Sequence, residues 1–389
     1  MTRLSLALAA LLATAAPAVA GPVDDSARLL AGLPPVDAAS PATALTRNAA
    51  WQGLRTRADK SWQAYVQDDM GAIQAWSRAH LAEAPGGTVF YPFSGPDVLN
   101  ALNFLPQGST YILLGLEPVG AIPAFGPGDA PALTSSMSAA MSALDEILGI
   151  NFFLTNGMRD EVGKQPYAGI AGIMAWFLVR TDHELLSARL VDVGADGALV
   201  TGKAGVEFVF RKRGGRDEKR AYYFSGDISD GGLAAKPGLL RFLEAQGELT
   251  TYLKAASYLM FRSAFDDVRS LILDRSRAIV TDDAGMPWHY FGEKGLQTRL
   301  YGDYSDPIKL FALRCQPDLK AAYAKGPVRG PLTFDFGYTY WHPHLVYALR
   351  PAGVPIATPT YDRTGAVGED TWCDAATGRL VVRRTPGKK

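Results

Sequence analysis

The chain has 389 residues, 39 Lys and Arg against 39 Asp and Glu, with 48% apolar and 20% charged residues. That balance excludes a disordered tail and a collagen-like repeat, and it lacks the basic surplus with which nucleic-acid binders meet a phosphate polyanion. Two cysteines are too few for a disulfide-built scaffold.

In chain order, Arg3 precedes an uncharged run from Leu4 to Ala16, and Ala18-Val19-Ala20 sets small residues before a cut at Gly21. This pattern predicts a cleavable signal peptide over 1–20, because the run is shorter than the roughly 20 residues that span a bilayer. The expected localisation is periplasmic or secreted. Oxidising surroundings leave Cys315 and Cys373 open to two readings, a disulfide or two buried thiols. Residues 21–47, rich in Pro, Ala and Asp, read as a flexible leader. A single α/β domain over 48–389 then opens with a helical flank, where Trp51, Leu54, Ala58, Trp62 and Tyr65 recur at three- and four-residue steps, followed by Ile73 and Trp76.

Thr88 to Phe93 has strand character, Ser94-Gly95-Pro96-Asp97 is a turn that starts a helix over Val98–Leu105, and Ser109–Leu116 is a second strand. Such a strand–turn–helix–strand unit has the size of a right-handed parallel crossover. Ala132–Leu148 reads as a helix and Asn151–Leu154 as a short strand or helix start. Ala168–Val179 comes closest after the leader to an apolar run of membrane length, and its twelve residues suit a core helix; no integral membrane segment is expected after signal cleavage. Leu185–Val193, Val206–Arg211 and Ala221–Phe224 predict antiparallel strands, with hairpin turns at Asp196-Gly197 and Gly214-Gly215. A second helical block is expected over Gly238–Ser276, placing Lys254 and Ser257 three apart on one face. Arg277–Val280, Leu332–Tyr340 and Leu345–Leu349 read as further strands. The fold expected is α/β, a single three-layer domain with a mixed sheet, a Rossmann-like strand–turn–helix–strand unit and an antiparallel β extension.

The chain has no G-x-S-x-G, S-x-x-K, H-E-x-x-H, P-loop or G-x-G-x-x-G. Candidate chemistry gathers instead where predicted strands end. Ser94 and Asp97 sit in the first turn and Glu117 closes the next strand; in a parallel sheet both fall at the carboxyl edge, where ligands bind. As purely structural groups, Ser94 caps the helix and Asp97 favours its dipole. Thr281-Asp282-Asp283 follows another strand, with His289 six residues beyond Asp283. Neighbouring aspartates alternate, so one of the two faces a pocket, and with His289 it suits an acid/base pair or a metal site. Asp-Asp-Ala-Gly also suits a plain turn, by Asx bonding and a positive-φ glycine. Phe224-Ser225-Gly226-Asp227 is a third strand-end turn. His342-Pro343-His344 places two imidazoles on one face but lacks a third ligand close in sequence.

The spacing of Asp97 and Glu117 resembles the opening of a Rossmann-like methyltransferase or dehydrogenase, although one Gly followed by Pro cannot form the Gly-rich loop of that group. Phe90-Tyr91-Pro92-Phe93-Ser94-Gly95-Pro96-Asp97 with Gly115-Leu116-Glu117-Pro118-Val119-Gly120 resembles a pattern of exported bacterial proteins of unknown function. That resemblance implies one integrated domain and carries no activity. The functional expectation is a hydrolase-like enzyme acting through Ser94, Asp97, Glu117, and Asp282 or Asp283 with His289. Two alternatives stay open: a non-catalytic periplasmic ligand-binding protein using the same pocket or the aromatics Tyr338, Tyr340 and Trp341, and a structural envelope protein without a small-molecule site. The expected partner is a small molecule or envelope component and not a nucleic acid; the cofactor is unknown.

Overall fold

Ten strands hydrogen-bond into one mixed sheet in a computed structural model that describes residues 21–150, 167, 169–338, 343–359, 361, 367–374 and 377–386. Its centre is five parallel strands in the order β6-β2-β1-β7-β8: β6 (Glu218–Ser225), β2 (Thr110–Gly115), β1 (Thr88–Tyr91), β7 (Leu249–Leu253) and β8 (Ser276–Thr281). Antiparallel strands extend both edges. On one side lie β5 (Gly205–Lys212), β3 (His183–Val193) and β4 (Leu199–Thr201); on the other lie β10 (His344–Leu349) and β9 (Gln297–Gly302). A separate hairpin pairs β11 (Val367–Cys373) with β12 (Leu380–Pro386).

Successive side chains of a strand point to opposite faces, and the two faces build two cores. Val89, Tyr91, Tyr111 and Leu113 pack on one side; Phe90, Ile112 and Leu114 pack on the other. The first core takes helices α1 (Pro22–Leu30), α2 (Ala49–Tyr65), α3 (Gly71–His80), α4 (Val98–Phe104), α5 (Ala130–Ile150) and α6 (Ile170–Arg180). The second takes α7 (Asp230–Ala235), α8 (Pro237–Glu244), α9 (Asp266–Arg275), α10 (His289–Glu293) and α11 (Pro317–Lys325). The fold is therefore a three-layer α/β domain with a mixed sheet, and β1–α4–β2 is its Rossmann-like unit. No helix among the described residues is long and apolar enough to cross a membrane; α6, the apolar stretch of the sequence, is buried from Ile170 to Val179 in the first core.

Three expectations are corrected. Residues 21–47 are no mobile leader: α1 buries Ala27, Leu29 and Leu30 in the first core. Its Asp24 accepts from Leu185 N at 2.9 Å and pairs with Arg213 at 3.2 Å. Those buried acids hid the apolar period of a nine-residue helix. The helical block over 238–276 is split by β7, a central strand buried along its whole length. A strand covered on both faces lacks the polar alternation that marks a half-exposed one, so Leu-Thr-Thr-Tyr-Leu merged into its neighbours' pattern. Residues 332–338 form no ladder strand. The expected antiparallel extension is present at both edges of the sheet, β5, β3 and β4 at one and β10 and β9 at the other. Residues 1–20, Asn151–Leu154, Tyr340, Trp341 and His342 lie outside the described residues. Cys315 and Cys373 form a disulfide with Cα atoms 5.6 Å apart, a usual separation.

Candidate functional site

In an open α/β sheet the crevice forms beyond the strand carboxyl ends, where chain connections diverge to opposite sides. Here β1 is flanked by β2 on one side and β7 on the other, so the divergence lies at the ends of these three strands. A cleft of about 150 Å³ opens at that point, lined by the loop after β1 (Phe93, Ser94, Gly95, Asp97), the end of β2 (Gly115, Leu116, Glu117) and the loop after β7 (Lys254 to Ser257), with Tyr91, Leu259 and Tyr338.

The centre of the cleft is an ion pair. Lys254 Nζ lies 2.9 Å from Asp97 Oδ2, and both side chains are essentially inaccessible to solvent. Asp97 is also the N-cap of α4, accepting from Asn100 N at 3.2 Å and Asn100 Nδ2 at 2.9 Å, while Tyr91 donates to its Oδ2 at 3.0 Å. Asp97, not Ser94, thus supplies the cap. Burial pushes the Lys254 ammonium pKa down, against the opposing pull of Asp97 and Asp282; burial and the Asp97 charge push the Tyr91 phenol well up. The neutral forms of Lys254 and Tyr91 are favoured by desolvation, and the carboxylate opposes this for Lys254 alone.

Glu117 stands at the end of β2, 3% exposed. The Tyr223 hydroxyl of β6 donates toward its backbone oxygen at 2.9 Å and its Oε2 at 3.2 Å. Gly115 makes this possible: a Cβ there would sit 2.5 Å from Glu117 Oε2 and 2.8 Å from the Tyr223 hydroxyl. Gly115→Ala is expected to lower stability by about 1–3 kcal/mol through this overpacking, read as a shifted urea midpoint at unchanged m.

The loops around the cleft are strained. Five non-glycine residues among those described have left-handed φ, and four of them, Phe93 (59°), Ala255 (53°), Ser257 (53°) and Tyr258 (55°), belong to the loops after β1 and β7. Such residues persist only where their surroundings over-determine them. The fixing contacts are visible. Tyr338 donates to Ala255 O at 2.7 Å and meets Ser257 Oγ at 2.7 Å; Ala255 N donates to Asp282 Oδ2 at 2.9 Å, and Tyr258 N to Ala284 O at 3.0 Å.

The predicted residues separate into three groups. Asp97 and Glu117 line the cleft. Ser94 lines it too, but its hydroxyl is bound into the end of β2, accepting from Leu114 N at 3.1 Å with Leu114 O at 3.2 Å and Gly95 O at 3.0 Å. It anchors the turn and leaves no free nucleophile. Asp282 backs the cleft, its oxygens held by Ala255 N and Ala284 N. Burial, and secondarily the charge of Asp283, push its carboxyl up to about 7. Gly337, at φ 71°, lets the chain cross over it; a Cβ there would lie 2.2 Å from Asp282 Oδ2.

Asp283 faces the other way, as alternation requires, and accepts from the Tyr258 hydroxyl. Its imidazole partner is His344, whose Nε2 lies 3.0 Å from Asp283 N and 3.1 Å from Asp283 Oδ1. The pairing of His289 with this turn is therefore corrected. The chain runs through Gly285-Met286-Pro287 into α10, where the His289 ring lies against Tyr290, centroids 4.1 Å apart and planes tilted by 41°, while β10 pairs beside β8 and begins with His344. The third turn reaches the same rim: Gly226 and Asp227 line an apolar annex of about 70 Å³ with Ile228 and Phe265, sharing Phe93, Gly115, Leu116 and Leu259 with the cleft.

Lys254 is the principal site residue absent from the predicted set. The Lys-Ala-Ala-Ser spacing drew notice as a helical pair; the loop geometry instead sends Lys254 to Asp97. No protein-family model, no curated protein and no solved structure matches the chain, so the chemistry of the site rests on its own geometry.

Proposed function

We propose that the chain is an exported, hydrolase-like enzyme whose cleft performs acid–base chemistry on a small polar group carrying a short apolar arm. The observation that carries this reading is the buried Lys254–Asp97 pair, set among left-handed residues at the point where the parallel strands diverge. Desolvating two ions costs several kcal/mol each, and apolar residues of similar size often serve stability equally well. Each left-handed non-glycine residue costs on the order of 1–3 kcal/mol. Stability gives no reason to collect both costs at one crevice, whereas binding and reaction need fixed charges at fixed positions.

In this reading the Lys254 ammonium, held by Asp97, stabilises negative charge developing on a substrate oxygen. Glu117, oriented by Tyr223, takes a proton from the attacking water and returns it to the leaving group as the scissile bond to that group breaks. Tyr91, Asn100, Ser94 and Asp282 are positioning residues, and the annex receives the apolar arm. Export is supported by the signal-like first twenty residues and by the Cys315–Cys373 disulfide, since such bonds persist in oxidising compartments.

Glu117→Gln retains an acceptor for Tyr223 but removes the base. It is expected to lower turnover of the chromogenic ester, amide or glycoside that the wild-type protein cleaves by about 10²–10⁴-fold, with Tm unchanged. Full activity in the variant, or bound ligand without turnover in the wild type, overturns the acid–base reading.

A further inference from the structure

A second depression lies outside the sheet and shares no residue with the cleft. One wall is the 3-10 segment Lys309–Arg314, the other the β11–β12 hairpin, and the space between them is about 700 Å³. Four cations line it, Arg262, Lys309, Arg314 and Arg383, against the single carboxylate of Asp370. Asp370 is already engaged by Ser263 N at 2.9 Å and Ser263 Oγ at 3.3 Å. Arg314 donates to Thr371 O at 2.6 Å. Among the described residues no carboxylate forms an ion pair with Arg262, Lys309 or Arg383. Four positive charges thus face one carboxylate, and burial followed by the nearby Arg262 charge lowers the pKa of Arg314 against the opposing pull of Asp370.

The rim is apolar. Leu310 is 79% exposed and Leu313 57%, and Trp372 lies among the lining residues. The walls are stapled, because Cys315 follows Arg314, Cys373 follows Trp372, and the two are bonded. The cations therefore cannot relax apart by separation of the walls, and a counter-anion meets a preorganised site.

We propose that this depression docks the protein onto an anionic lipid surface, a phosphate-bearing headgroup lying among the four cations and the adjoining hydrocarbon meeting Leu310 and Leu313. Charge complementarity selects the anion. A soluble anion alone would leave the two leucines in water, and a purely apolar partner would leave the cations uncompensated; an anionic amphiphile satisfies both.

The test is flotation of the full chain with phosphatidylcholine vesicles, with and without phosphatidylglycerol. Binding to the anionic vesicles is expected to be at least about tenfold stronger, since each surface cation contributes a factor of about five, and to weaken as salt rises. Arg262→Gln with Arg383→Gln should remove most of that preference, a factor of about five for each cation lost. Leu310→Ser with Leu313→Ser, both at exposed positions, should weaken it about tenfold, with the Tm of each variant unchanged. Equal affinity for both vesicles, no flotation, or indifference to both double variants overturns the proposal. Glycerol phosphate binding as tightly as vesicles, and equally in the leucine variant, also overturns it and assigns the site to a soluble anion. Every outcome is independent of the sheet-end cleft, whose residues are untouched.

Discussion

Lys254→Met is expected to destabilise the protein by about 3–5 kcal/mol, and adding Asp97→Asn to return most of that loss. The single change strands a carboxylate that is 1% exposed, leaving it only the Tyr91 hydroxyl and the Asn100 donors. Breaking a buried pair from one side is far more costly than replacing both partners, because the remaining charge has lost its counter-ion in a medium that solvates it poorly. In the double variant neither member of the pair carries a charge. Asn at position 97 still offers an oxygen to Asn100 N, so the start of α4 keeps its cap. Urea unfolding of the wild type and the three variants, Lys254→Met, Asp97→Asn and the double, gives the coupling energy directly. A single Lys254→Met variant as stable as the wild type would show that the ammonium is not Asp97's essential counter-charge. A double variant that folds fully but has lost turnover would separate the pair's catalytic use from any part in stability.

The second large effect is a fall in stability as pH rises, originating at Asp282. Burial and the neighbouring Asp283 charge raise this carboxyl from its ordinary 3.8 to about 7, only partly offset by the Ala255 and Ala284 amides and His344. Between pH 4 and 7 the folded chain therefore keeps a proton that the unfolded chain has released. Stability falls with rising pH wherever the folded state binds more protons, so this group's contribution is intact below about pH 4 and is lost as pH climbs through 7. The full span is on the order of 4 kcal/mol. Asp282→Asn removes the titration, though its amide nitrogen cannot accept from one of the two backbone donors. The variant is expected to be the less stable chain at pH 4 and to gain on the wild type as pH rises to 8. Parallel stability curves would place the titration elsewhere.

The β1–α4–β2 unit was readable from residues 88–118 because every signal in it is local. Short continuous apolar runs bounded by turn residues define the strands, a turn with Pro96 opens the helix, and Pro106 with Gly108 closes it. The same locality placed Asp97 and Glu117 at strand ends. Where reading failed, the deciding contact was distant. Leu249–Leu253 is a strand because β1 and β8 offer it backbone partners on both sides, and neither neighbour is adjacent in sequence. Pro22–Leu30 is an anchored helix because Leu185 N and Arg213 wait for Asp24 from more than 150 residues away.

By itself the sequence determined the layer architecture, the principal helices, and the gathering of polar turns at the ends of strands, all consequences of side-chain period and capping within a few residues. Tertiary structure alone decided that Lys254 meets Asp97, that His344 and not His289 faces Asp283, and that Ser94 is tied into β2. The physical reason is that a parallel sheet orders its strands by long crossovers, so which buried run lies beside which depends on packing of the whole chain and leaves no local mark.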